Sequence, residues 1–177
     1  MSAEELVTML NEKTVRFDVG QGGIPSLTWD MVDAALCKCS KGAYALARAI
    51  HCGDREDGVT LLHATTGRAE IMSKDSGWSW NEKAQLGISR VACFLILNPG
   101  RCTWCKGTKY NAHQKPCVPC SGSGMAKPPS LRKLAEIADL EPEAYRRTWH
   151  DRAMKLLYEV QVWEGEVGAV LRRELYG

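Results

Sequence analysis

The chain has 177 residues, 45% of them hydrophobic and 25% charged, with a formal net charge of +2 at pH 7. That length fits one domain or two small ones, and that hydrophobic share fills a core and excludes wholesale disorder. The longest apolar run, Val91 to Leu97, is far too short to cross a bilayer, so no membrane is expected as a partner.

Residues 3–16 read as an amphipathic helix. Ser2 caps it, Glu4 and Glu5 sit in its first turn, and Leu6, Val7, Met9 and Leu10 form its apolar side. This acidic start is unlike a secretory signal, so eight cysteines imply reduced thiols in a cytoplasm. Gly20 to Pro25 is a breaker run that sets off residues 1–25 as a helix and arm.

Thr28 caps the next helix, with Trp29, Val32, Ala35 and Leu36 on one face; Gly42 interrupts the pattern and Ala43 to Ile50 resume it. Cys37 and Cys39 lie there, with His51 and Cys52 close behind. Residues two apart on a helix diverge, so these read as buried structural thiols rather than ligands. Residues 53–57 form a charged turn. A helix then runs to about Met72, with Val59, Leu62, His63 and Ile71 on or near its apolar side.

Ser79 with Glu82 three residues on is a capping box, and the helix it opens runs to about Leu97. Trp80, Ala84, Ile88, Val91, Ala92 and Leu95 make its buried stripe, and Asn98-Pro99-Gly100 ends it. Residues 26–98 thus form a helical body.

Residues 99–127 are different in kind. Cys102 and Cys105 make one Cys-x-x-Cys pair and Cys117 and Cys120 a second. Two intervening residues let a tight turn point both sulfurs at one ion, and two such turns close a tetrahedron, the usual spacing of a structural Zn2+ site. Gly107, Gly122 and Gly124 follow the pairs, where positive φ turns backbone amides toward the thiolates. All four ligand positions are filled by protein, so such a site supports structure rather than catalysis.

Charge is unevenly spread. Residues 1–97 carry 10 basic and 12 acidic side chains, and residues 128–177 carry 8 and 9. Residues 98–127 hold Arg101, Lys106, Lys109, Lys115 and Lys127 with no Asp or Glu. Four thiolates and one zinc ion leave that segment at about +3. A basic metal knuckle in a near-neutral chain is the footprint of phosphate contact, and Arg101, Lys106 and Lys109 are its candidate donors.

Beyond Pro128-Pro129, Ser130 caps a short helix, Leu131 to Ala138. Asp139 to Glu141 is a turn, and Pro142 sits where a first helical residue tolerates proline. A long helix follows from Glu143 toward Trp163 and continues, with a bend near Gly165, to Leu175. Residues 131–150 fit a helix-turn-helix, with Leu134 and Ala135 inward, Leu140 plugging the turn, and Tyr145, Thr148 and Trp149 anchoring the second helix. Glu143, Arg146, Arg147 and His150 then point outward from the half that enters a major groove, while Arg132 and Lys133 suit phosphates. The competing reading is an ordinary helical hairpin with a solvated charged face.

The stretch Pro99 to Gly107, the basic loop, Cys117 to Gly124 and the helix pair through Tyr158 together resemble the late-gene antiterminator Q family of lambdoid phages, in its zinc-containing branch. An Ala-rich segment ending in His51-Cys52-Gly53 is similar to the family as well. The resemblance implies an all-α fold with an inserted four-cysteine zinc knuckle, and a helix-turn-helix and C-terminal helix over residues 128–177. It implies a non-enzymatic factor in the cytoplasm of a bacterial host cell. Such proteins bind double-stranded DNA beside a late promoter, engage RNA polymerase holoenzyme (sigma factor and core), and travel with it so that terminators are ignored.

Two other readings compete. Cys-x-x-Cys-x-Gly-x-Gly, at residues 117–124, also recurs in the cysteine-rich region of DnaJ-type co-chaperones, which points to a protein-binding zinc module. An enzyme is not expected, because the chain has no nucleophile elbow, P-loop, dinucleotide fingerprint or acid/base constellation.

Overall fold

The computed structural model describes residues 29–176 apart from 52–54, 80, 99, 101, 103 and 112. The N-terminal helix and breaker run expected over residues 1–25, the Thr28 cap, Cys52, Trp80 and Arg101 therefore lie outside the described residues. What is described is all-α. The helices are α1 (Trp29–Leu36), α2 (Lys41–His51), α3 (Arg55–Asp75), α4 (Glu82–Leu97), α5 (Leu131–Ala138), a single turn α6 (Pro142–Ala144), and α7 (His150–Tyr176). A π-helical turn, Tyr145–Trp149, joins α6 to α7 without a break. Among the described residues β pairing is confined to isolated bridge positions: Tyr110 pairs with Pro116, and Met125 is a further bridge residue.

The chain divides into two compact units, one made of the described residues up to Arg68 plus those from Tyr158 on, the other of Ala69–Leu157.

In the first unit, Val32, Ala35, Leu36, Ala43, Ala47, Val167 and Leu171 form a buried cluster, with Tyr44 and Trp163 packed against it. Gly42 does not interrupt a helix as expected; it lies buried inside α2. A Cβ there would stand 2.4 Å from Trp163 Cε2, so the indole needs a residue with no side chain beneath it. The break falls instead at residues 37–40, where Ser40 donates its N–H and hydroxyl to the two carboxylate oxygens of Glu166, at 2.6 and 2.8 Å. Cys37, expected to be buried, is exposed, because it sits in that turn rather than on a helix face.

Helix α3 starts at Arg55 and runs to Asp75, three residues past the expected end. Its buried positions are Leu61, Thr65, Ala69 and Ser73, while Val59, His63 and Ile71 are exposed. The expected apolar side was misplaced because this buried face is small and half polar.

The second unit is built around α4. Its N-cap is Asn81, whose side-chain oxygen accepts from the Ala84 N–H at 3.0 Å, rather than Ser79. Ala84, Ile88, Val91 and Ala92 are buried as expected, together with Leu134, Ala135, Ala138, Tyr145, Trp149, Ala153 and Leu156. Asn98 caps the far end, its N–H and side-chain amide both donating to the Phe94 carbonyl. Helix α5 packs tightly on α4: Gly87 faces the Ala138 carbonyl, and small residues at 135 and 138 permit the approach.

Ser130 caps α5, and Asp139 ends it in the left-handed region at φ 53°, ψ 44°, as the turn expected there requires. Glu141 caps α6 and Pro142 occupies its first position. The π turn was not legible in the sequence. By inserting an extra residue it keeps Tyr145 and Trp149 on the buried side. Thr148, expected as an anchor, is left exposed by that same turn.

Candidate metal centre

The segment between α4 and α5 holds a cluster of its own: Cys102, Cys105, Cys117 and Cys120, all buried. Their sulfurs all lie within 4.8 Å of one another. Cys102 Sγ stands 3.8 Å from Cys117 Sγ, and Cys105 Sγ stands 3.7 Å from Cys120 Sγ. Four sulfurs at the corners of a tetrahedron with Zn–S bonds of about 2.3 Å would be about 3.8 Å apart. Disulfide sulfurs would be about 2.05 Å apart, so these are four separate thiols. They are positioned to bind one metal ion with no open coordination position.

Two half-sites build this geometry, and their backbones match. After Cys105 come Lys106 and Gly107 with positive φ; after Cys120 come Ser121 and Gly122 with positive φ. Lys109 and Gly124, at corresponding positions, also have positive φ. Thr108 and Ser123 correspond too. Each hydroxyl donates to the carbonyl of the preceding cysteine, Cys105 or Cys120, at 2.7 Å. Two further hydrogen bonds lace the halves together: Cys102 N–H to the Gly124 carbonyl and Cys117 N–H to the Lys109 carbonyl, each 2.9 Å. Gly124 has to be glycine, since a Cβ would lie 2.9 Å from the Gly107 carbonyl oxygen in a backbone at φ 77°.

The electrostatics favour a cation. Burial disfavours a thiolate at Cys120, but the Gly124 N–H, 3.3 Å from its sulfur, and the neighbouring thiols outweigh it and bring Cys120 down to about 6. Cys117 moves the other way, pushed up to about 12 by burial first. A divalent cation bound there displaces the thiol protons. Among the described residues no other group of three or more His, Cys, Asp or Glu is arranged to hold an ion.

The surface around the centre is basic. Lys106, Lys109 and Lys115 are exposed and make no ion pair among the described residues. Trp104 is 80% exposed and Tyr110 55% exposed. Neither aromatic was singled out from the sequence, although both sit within the acid-free segment.

On the helix pair, Arg132 and Lys133 are exposed, with Lys133 3.1 Å from Glu136. Arg146 and Arg147 are also exposed, but Glu143 clasps both: Glu143 Oε1 lies 2.7 Å from Arg146 Nη2 and 2.7 Å from Arg147 Nε. These hydrogen bonds, Arg146's first, hold the Glu143 carboxyl below its ordinary range. His150 does not point outward as expected. It is half-buried, its ring edge-on to Tyr145 with centroids 5.8 Å apart, because the π turn rotates it toward the core. Arg152 was also missed: its guanidinium lies over Trp78 and Trp149, 5.1 and 4.6 Å from their centroids. Only the aromatic spacing could have flagged it.

No known protein family matches the chain, and no characterised protein or solved structure does either. No helix among the described residues is long and apolar enough to cross a membrane.

Proposed function

We propose that this protein is a zinc-stabilised, sequence-specific DNA-binding factor of the lambda-type late-gene antiterminator class, which loads onto RNA polymerase holoenzyme near a late promoter and suppresses termination. One observation carries the reading: a closed four-sulfur centre in a basic, acid-free segment directly precedes a short helix, a left-handed turn at Asp139 and a second helical segment with two exposed arginines. In this reading α5, the turn and the segment from Pro142 form a helix-turn-helix, and zinc is the ion. Arg146 and Arg147 read base edges; Arg132, Lys133, Lys106 and Lys109 hold phosphates. The ion's role is structural, fixing a segment with almost no core of its own.

The deciding experiment is reconstituted transcription from the cognate late promoter with holoenzyme and a downstream terminator. The protein raises readthrough if the reading is right. Unchanged readthrough with DNA binding intact leaves only a repressor or activator.

A second reading is favoured by the matched half-sites. Cys-x-x-Cys-x-Gly, with a hydroxyl residue next, recurs at 102–108 and 117–123 with the same hydrogen bonds, and residues 117–124 carry the Cys-x-x-Cys-x-Gly-x-Gly pattern that also recurs in DnaJ-type co-chaperones. A protein-binding knuckle alone gives no sequence-specific duplex binding for Arg146→Ala and Arg147→Ala to weaken, whereas the DNA-binding reading requires that loss.

A further inference from the structure

The basic surface of the metal centre carries two aromatic rings that the duplex-binding reading leaves without work. Trp104 sits inside the first Cys-x-x-Cys turn and Tyr110 just after the first half-site, 80% and 55% exposed. Scattered exposed apolar residues are ordinary on any protein surface. Here, though, two aromatics lie within seven residues of each other, among Lys106, Lys109 and Lys115, in a stretch with no carboxylate from residue 98 to 127. Lys109 is held by its positive φ and its stem lies close over Gly124, so its ammonium is carried on a fixed base.

Cations alone suit any polyanion. The rings narrow the choice, because an aromatic side chain gains from a nucleic acid by stacking on the flat face of a base. In a duplex those faces are already covered by the neighbouring base pairs. The knuckle also offers no helix to lay in a major groove, since the described residues between Leu97 and Leu131 are turns, bends and loop with isolated bridge residues at Tyr110, Pro116 and Met125. A protein partner would account for the rings but not for a segment of five cations and no carboxylate.

We infer that the metal knuckle is a binding site for an unpaired nucleic-acid strand, with Trp104 and Tyr110 stacking on bases and Lys106, Lys109 and Lys115 following the phosphates. This site shares Lys106 and Lys109 with the proposed duplex contacts, but its stacking rings are separate from Arg146 and Arg147, and it does not rest on the antiterminator reading. RNA and displaced DNA share the chemistry and differ in the 2′-hydroxyl.

The test uses the full chain loaded with zinc, and fluorescence anisotropy of end-labelled strands of about 12 nucleotides, within the span of a single-strand site. The probes are oligo(rU), oligo(dT) and a duplex of equal length. The wild-type protein binds the unpaired strands, and preference for oligo(rU) or equal affinity tells RNA from a strand of either sugar. Trp104→Ala weakens unpaired-strand binding ~5- to 150-fold, the equivalent of one lost stacking contact. Trp104→Phe keeps most of the affinity, and neither variant changes duplex binding. Arg146→Ala and Arg147→Ala do the reverse, so failure of either site is seen independently. Zinc content of each variant is measured alongside; if Trp104→Ala loses its metal, Tyr110→Ala and Trp104→Phe decide. No binding of unpaired strands by the wild type, unchanged affinity in metal-replete Trp104→Ala, or equal loss on duplex and single strand each overturns the inference.

Discussion

Gly87 on α4 faces the carbonyl oxygen of Ala138 at the end of α5 so closely that a Cβ on residue 87 would stand 2.4 Å from it. The atom met is backbone, which cannot swing aside as a side chain does. These two helices also supply the two ends of the metal-binding segment, α4 leading into it and α5 leading out. Gly87→Ala therefore forces the helices apart and costs about 1–3 kcal/mol, the usual price of overpacking. Urea unfolding of the variant checks this; a midpoint at or above wild type would mean α5 moves freely on α4.

The four cysteines form a cluster separate from the helical core of their unit, which contains none of them. Metal removal should therefore melt the knuckle while leaving α4, α5 and the start of α7 packed. After chelation, the amides of Cys102 and Cys117 lose their bonds to the Gly124 and Lys109 carbonyls and exchange with solvent, whereas amides inside α4 stay protected. Far-ultraviolet circular dichroism changes little, because the described residues of the knuckle hold no helix. Cys117→Ser gives the same exchange pattern without chelator. Bound metal also falls off as pH drops, since protons compete for each sulfur.

The metal site could be read from spacing alone because ligand chemistry acts over a few residues, and Cys102, Cys105, Cys117 and Cys120 meet as expected. The Ser130 cap, the Asp139 turn and Pro142 were legible for the same reason: each is a local rule with a local cause. What escaped depends on distant partners. Gly42 looks like a break until Trp163, more than a hundred residues later, is seen over it. Asn81 and Ser79 are equally good caps on paper, and only the folded chain chooses. The buried face of α3 alternates Leu61 and Ala69 with Thr65 and Ser73, so no apolar stripe announces it. The π turn at Tyr145–Trp149 has no sequence signature, and with it went the positions of Thr148 and His150.

Gly124 tests the half-site geometry more finely than a ligand deletion does. It has positive φ, its N–H donates to Cys120 Sγ, and Gly107 crowds the position a Cβ would take. Gly124→Ala keeps all four sulfurs but strains the turn, so zinc affinity falls by roughly tenfold or more, in the range seen when groups supporting metal ligands are lost. Competition with a chromophoric chelator measures it. Gly165→Ala is the control: nothing lies within 4 Å of its Cβ position, and metal affinity there is unchanged.

Glu143 governs how much positive charge the second helical segment presents. Its carboxylate bonds Arg146 and Arg147 together, which holds its pKa below the ordinary value. A depressed carboxylate pKa means the clasp is intact above the ordinary Glu range and is lost as pH falls through the lowered folded value. Carboxyl NMR of the wild type therefore shows Glu143 titrating below the ordinary glutamate value, and the double Arg146→Ala, Arg147→Ala variant returns it toward that value. At neutral pH Glu143→Gln removes one negative charge beside two guanidiniums. Under the proposed function, binding to random-sequence duplex then tightens and depends more steeply on salt, while the margin for the cognate site narrows. A Glu143→Gln protein with unchanged salt slope would show that these arginines do not meet phosphate or base at all.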